Sequence, residues 1–76
     1  MNNSRRKRIS QCISELYDAH SNLIHILDKE QDALANVPDD EEYDDKREGM
    51  NEVITGLEDL LPTLQDAIDT LENADF

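Results

Sequence analysis

The chain holds one cysteine, no tryptophan, two glycines and two prolines. A single cysteine excludes a disulfide framework and a cysteine-rich zinc site, and it fits a reducing compartment. Three aromatic residues in all leave little material for a pocket that grips a small substrate. Cations are scarce as well. Seven Lys and Arg stand against nineteen Asp and Glu, for a formal net charge of −12 and a pI of about 4.2. A general nucleic-acid binder needs a basic surface that releases counterions, so direct nucleic-acid binding is not expected. No apolar run approaches the ~20 residues of a membrane span. The basic amino terminus is not followed by an apolar stretch, so it does not read as a secretory signal. A Gly-rich phosphate loop, a nucleophile elbow and a His-Glu-x-x-His motif are all missing. The expectation is therefore a non-enzyme without a cofactor. Seventy-six residues make at most one small domain.

What is present is periodic. Ile9, Ile13, Leu16, His20, Leu23, Leu27, Glu30 and Leu34 step by alternating fours and threes. That is a heptad seam with two polar members, where a strand would alternate every second residue. Met50, Ile54, Leu57, Leu61, Leu64, Ile68 and Leu71 repeat the pattern, and Tyr43 extends it backward. The spacing predicts an all-α chain with helices at about 5–36 and 44–73. Residues 37–43 form the connecting turn, with a short helical turn near 38–42, and residues 1–4 and 74–76 are frayed ends. Ser4 is the expected cap of the first helix, and Asp39 with Glu42, or Asp44, of the second. Pro62 lacks an amide donor and crowds the carbonyl of Glu58, which predicts a kink. Gly49 and Gly56, seven apart on the outer face, each weaken the second helix by roughly 1 kcal/mol relative to Ala. Two helices of about 45 Å joined by a tight link give an antiparallel hairpin.

A lone hairpin has little core, and below about 70–80 residues a core rarely supplies more than 3–5 kcal/mol. Beside the first seam runs a second stripe, Cys12, Ala19, Ile26 and Ala33, and a further flank carries Tyr17 and Ile24. Beside the second seam lie Val53, Leu60, Ala67 and Ala74. These faces are wider than one partner helix covers. The expectation is a homodimer forming a four-helix bundle, with Cys12, Ala19, Ile26, Val53, Leu60 and Ala67 at the interface. Centring the turn near residue 40 sets Leu27 against Ile54 and His20 against Leu61, and predicts a Glu30–Arg47 ion pair.

Charge is segregated. Residues 1–27 carry four cations and two acids, a net of +2, and residues 28–76 carry three cations and seventeen acids, a net of −14. Arg5, Arg6, Lys7 and Arg8 oppose the dipole of the helix they begin. They either neutralise the acidic carboxyl end beside them, or Arg5, Arg6 and Arg8 hold a phosphate-like anion in an oligomer. Asp45, Glu52, Asp59 and Asp66 recur every seven residues, about 10 Å apart, flanked by Glu48, Glu58, Asp69 and Glu72. That stripe reads as a solvated surface or as a face that docks on a basic protein groove. Cys12, near basic neighbours, reads as a small core residue. His20 reads as a buried, hydrogen-bonded seam histidine or a pH-sensitive assembly switch. His25, with Asp18, Asp28 and Asp32, is a weak metal grouping. The acidic run from Asp39 to Asp45 fails as an EF-hand. Its sixth and twelfth positions, counted from Asp40, hold Asp45 and Asn51 where Gly and Glu are needed.

The stretch Glu30-Gln31-x-Ala33-x-x-Asn36-x-Pro38, with Gly49-Met50 and the acidic Leu-rich segment after it, resembles small acidic helical proteins of bacterial phages and mobile elements. The resemblance implies a cytoplasmic protein of a bacterial host and assigns no activity or functional residue.

Three functions follow from these readings. The first is a binding module that uses its acidic face on, and inhibits, a basic nucleic-acid-handling or defence protein. The second is an oligomeric sponge for a nucleotide-like anion. The third is an adaptor or small chaperone whose apolar stripe a partner helix covers.

Overall fold

The computed structural model describes residues 3–74. Helix α1 spans Asn3–Ala35, a 3-10 turn spans Glu41–Tyr43, and helix α2 spans Asp44–Glu72. The helices pack against each other as a hairpin measuring 59 × 15 × 13 Å. A helix of 33 residues is about 50 Å long at 1.5 Å per residue, so the long dimension is one helix plus its turn. Helix α1 starts two residues before the expected position, and Ser4 lies inside it instead of capping it. Residues 1, 2, 75 and 76 of the expected frayed ends lie outside the described residues.

The heptads explain which residues turn inward. Each repeat can be written a to g with the seam at a and d. All eight seam residues of α1 are then half-buried. Those of α2, Tyr43 included, are half-buried or buried. Among the described residues only Ile54, 7 % exposed, and Ile68, 0 % exposed, are buried. Two rods give each seam residue a neighbour on one side and solvent on the other, so the core is a single line.

Both helices stop in the same way. Asn36 Nδ2 donates to the Asp32 carbonyl at 3.0 Å, and Asn73 Nδ2 donates to the Asp69 carbonyl at 2.8 Å. The flanking sequences Asp-x-Leu-x-Asn are the same at both ends. Each side-chain amide adds a donor to a last-turn carbonyl, and at Asp69 it joins the backbone N–H of Asn73, which reaches the same oxygen at 3.0 Å. This repeated stop signal was legible in the sequence but does not figure in the periodicity.

The start of α2 is not held by the expected acids. Neither Asp40, before the 3-10 turn, nor Tyr43, before α2, makes a side-chain cap. Arg47 closes the turn instead. Its guanidinium donates to the Pro38 carbonyl, to the Asp40 carbonyl at 3.1 Å and to the Asp44 carboxylate, with Asp39 at 3.8 Å. The predicted Glu30–Arg47 ion pair does not form. Asp44 is one turn away on the same helix and the turn carbonyls converge on the same spot, so the planar fork is saturated locally. Helix α2 runs continuously through Pro62, which lies on the solvent side where its missing donor leaves the seam intact.

Candidate functional site

Helix α1 is balanced, with five cations and five acids, whereas α2 carries two cations and nine acids, a net of −7. The f positions of α2, farthest from the seam, are Asp45, Glu52, Asp59 and Asp66, and all four are exposed. Consecutive members stand about 10 Å apart, so the row runs for about 30 Å. Among the described residues no cation lies within 4 Å of any of these four carboxylates. An open depression beside Gly56 is lined by Asp44, Glu48, Asn51, Glu52, Thr55 and Asp59, with the Arg47 cation at its turn end. It is a groove on one helix face and not an enclosed pocket. It offers acceptors at long spacing, which suits a row of Lys or Arg on another protein and not a small substrate.

The other predicted groups are placed less favourably. Arg5, Arg6 and Arg8 are all exposed on the first turns of α1. At 100° per residue Arg5 and Arg8 share a side, and Arg6 points well away from them. One hairpin therefore does not gather the three on one anion. Cys12 is exposed and is not part of the hairpin core, because a single partner helix covers only positions a and d. His20 is half-buried on the seam and makes no hydrogen bond among the described residues, which corrects the reading of a buried, bonded histidine. His25 is exposed, and among the described residues no three of His, Cys, Asp and Glu converge on a metal position. No helix is long and apolar enough to cross a membrane.

The apolar stripes end up on a common side. In an antiparallel pair, g positions neighbour g positions and e positions neighbour e positions. Tyr17 shows this. It is an e residue of α1, and the groups that act on its phenol, Glu72, Asp69 and Gln65, include the e residues Glu72 and Gln65 of α2. Interaction with the Glu72 carboxylate pushes the Tyr17 pKa above its ordinary value, with desolvation and the charge of Asp69 adding and Gln65 opposing. By the same geometry Cys12, Ala19 and Ile26 of α1 stand beside Val53, Leu60 and Ala67 of α2 on the opposite face. Ile26 and Val53 are each 50 % exposed and Leu60 is 45 % exposed. The hairpin therefore has two built surfaces, an acidic back on α2 and an apolar side shared by both helices.

The raised Tyr17 pKa has a checkable consequence. A folded pKa above the unfolded value of about 10 gives stability that is complete below that pH and is lost as pH rises through the folded value. Deprotonation also places a third negative charge beside Glu72 and Asp69. Urea midpoints measured at about pH 9 and about pH 11.5 are expected to fall further for the native chain than for Tyr17→Phe. Equal falls would remove Tyr17 from the interhelix contact.

Comparison with known proteins finds no matching family model, no matching curated protein and no matching solved structure.

Proposed function

We propose that this chain is a non-enzymatic binding module that pairs with a second copy into a four-helix bundle and presents the acidic back of α2 to a basic protein. What carries the reading is the row Asp45, Glu52, Asp59 and Asp66, a charge stripe with no cation within 4 Å among the described residues. The row lies on the face of α2 turned away from α1, so it takes no part in holding the hairpin together and is open to another molecule. The partner is a protein with Lys and Arg along a groove, of the kind that handles nucleic acid, and occupying that groove inhibits it. Carboxylates every 10 Å or so are coarser than backbone phosphates, so recognition is by charge and not by copied geometry. The resemblance to phage and mobile-element proteins fits an inhibitor acting in the bacterial cytoplasm against a nucleic-acid or defence enzyme.

The test compares the native chain with the triple variant Glu52→Lys, Asp59→Lys and Asp66→Lys as bait in bacterial lysate. A basic protein is expected on the native bait at about 50 mM salt. It is expected to be lost near 1 M, where the screening length is about 3 Å, and to bind the triple variant at least about 100-fold more weakly. Retention of the same protein by both baits would remove the acidic row from the function.

A further inference from the structure

We infer that the two copies pair antiparallel, the turn of one over the helix ends of the other, through the apolar side formed by Cys12, Ala19, Ile26, Val53, Leu60 and Ala67. The inference rests on the proposed pairing and adds its direction and register.

Surface area shows that one hairpin leaves something uncovered. The chain exposes 5770 Å², against about 4,700 Å² for a compact monomer of this mass. The elongated shape explains part of the surplus. Its size, about 1,000 Å², is close to the ~800 Å² that each partner covers in a standard interface.

The location follows from where α2 lacks charge. Its nine acids all fall at b, e and f positions. Its c positions from residue 49 onward are Gly49, Gly56, Thr63 and Thr70, and the g positions beside them are Val53, Leu60, Ala67 and Ala74. From Gly49 to Ala74 this strip carries no charge, on a helix with a net of −7. A Cβ added at Gly49 or Gly56 would meet nothing within 4 Å. The hairpin therefore gains no close contact from two residues that each weaken α2 by roughly 1 kcal/mol. A second backbone passing over them supplies the missing contact.

Three features choose between the two symmetric ways of stacking this face on itself. Size is graded along it. Ile26 and Val53 lie in the half toward the turn together with the small Ala33, Leu60 lies at the middle, and Cys12, Ala19, Ala67 and Ala74 lie toward the free ends. Antiparallel stacking sets Ile26 over Ala19 and Val53 over Ala67 of the second copy, with Leu60 near the two-fold axis and the small pair Ala33 and Cys12 at the margins. Parallel stacking with matched ends would gape where both copies are small.

Charge is graded too. Residues 36–48 carry seven acids and two cations, and residues 3–8 carry four cations. Only the antiparallel arrangement brings those segments together across the interface, and it does so at both ends.

The rim of α1 agrees. Glu15 and Lys29 are exposed c residues placed almost symmetrically about residue 22. An axis passing near residue 22 of α1 and residue 60 of α2 sets Glu15 of each copy against Lys29 of the other. Among the described residues Glu15 accepts only from Gln11, at 3.3 Å, and Lys29 has no ion pair. In the parallel arrangement both would face the uncharged strip of α2.

Spin labels at Glu41→Cys, in a Cys12→Ala chain, read the direction by pulsed dipolar spectroscopy. Antiparallel pairing puts the two turns at opposite ends, with a separation close to the 59 Å length of the hairpin. Parallel pairing puts them within about two helix diameters, near 20 Å. In sedimentation, Glu15→Lys and Lys29→Glu are each expected to weaken the dimer about tenfold, and the double swap to restore it. Leu60→Asp is expected to give a monomer that keeps its helical circular dichroism. A dimer with the short distance overturns the antiparallel direction and leaves the proposed pairing standing. A native chain that sediments as a folded monomer overturns the pairing itself, and a Leu60→Asp dimer overturns the face. None of these outcomes depends on the acidic row, whose failure would be read in the lysate experiment.

Discussion

Ile68→Ala is expected to lower the unfolding free energy by about 3 kcal/mol, enough to depopulate the folded hairpin. Ile68 is the one side chain with no exposure at all, and Ile54 is its only near equal. Every other seam position keeps a solvent side, so removing three carbons elsewhere leaves a surface that water or a shifted neighbour can fill. At Ile68 the same deletion leaves a cavity as well as losing transfer energy. A chain of this size has about 3–5 kcal/mol to lose. Ile68→Val is expected to cost about 1 kcal/mol. Ile24→Ala, at a position 41 % exposed, is expected to cost still less. Urea unfolding followed by circular dichroism at one fixed chain concentration orders the three. Equal midpoints for Ile68→Ala and Ile24→Ala would show that the single line of core does not carry the fold.

Arg47→Ala is expected to cost about 2 kcal/mol and to loosen the turn without melting either helix. The side chain is 22 % exposed, far less than its partners Asp44 at 62 % and Asp39 at 105 %. The ion pairs are therefore largely solvated and worth little by themselves. The larger contribution comes from the donors sent to the Pro38 and Asp40 carbonyls, which end a stretch with no other side-chain cap. Arg47→Lys is expected to recover less than half of the loss, because a single ammonium cannot serve two carbonyls and a carboxylate in one plane. Raising salt to about 1 M is expected to change the native midpoint little if the carbonyl bonds dominate. A midpoint for Arg47→Ala equal to the native one would mean that the turn is held by the seam alone.

The two helices were legible because period 3.5 is a property of consecutive residues. Ile9 to Leu34 and Met50 to Leu71 turn to one side wherever the chain is helical, and no distant contact is needed to say so. The acidic row was legible for the same reason, since residues seven apart share a face. The turn was harder to read. Asp39, Glu42 and Asp44 are all good capping types, and nothing local ranks them against a guanidinium that reaches back nine residues to Pro38. Glu30 and Arg47 matched by register and by sign, yet Arg47 had nearer acceptors in the turn and in Asp44 of its own helix. Cys12 and His20 were read as buried because they lie on or beside the apolar stripe. Burial depends on how many neighbours cover a stripe, and one helix covers only its middle.

Composition and spacing alone settle that the chain is helical, where each helix begins and ends to within about two residues, and which side of each is apolar or acidic. These are local consequences of side-chain direction on a helix. Folding into a hairpin settles what lies beside what. It puts the g residues of α1 and α2 on one side, brings Tyr17 to Glu72, and gives the turn to Arg47. It also leaves Ile54 and Ile68 as the only buried residues among those described. Those outcomes depend on the packing of two rods against each other, and packing is decided by which groups reach a shared space first and how much of each rod a single neighbour can cover.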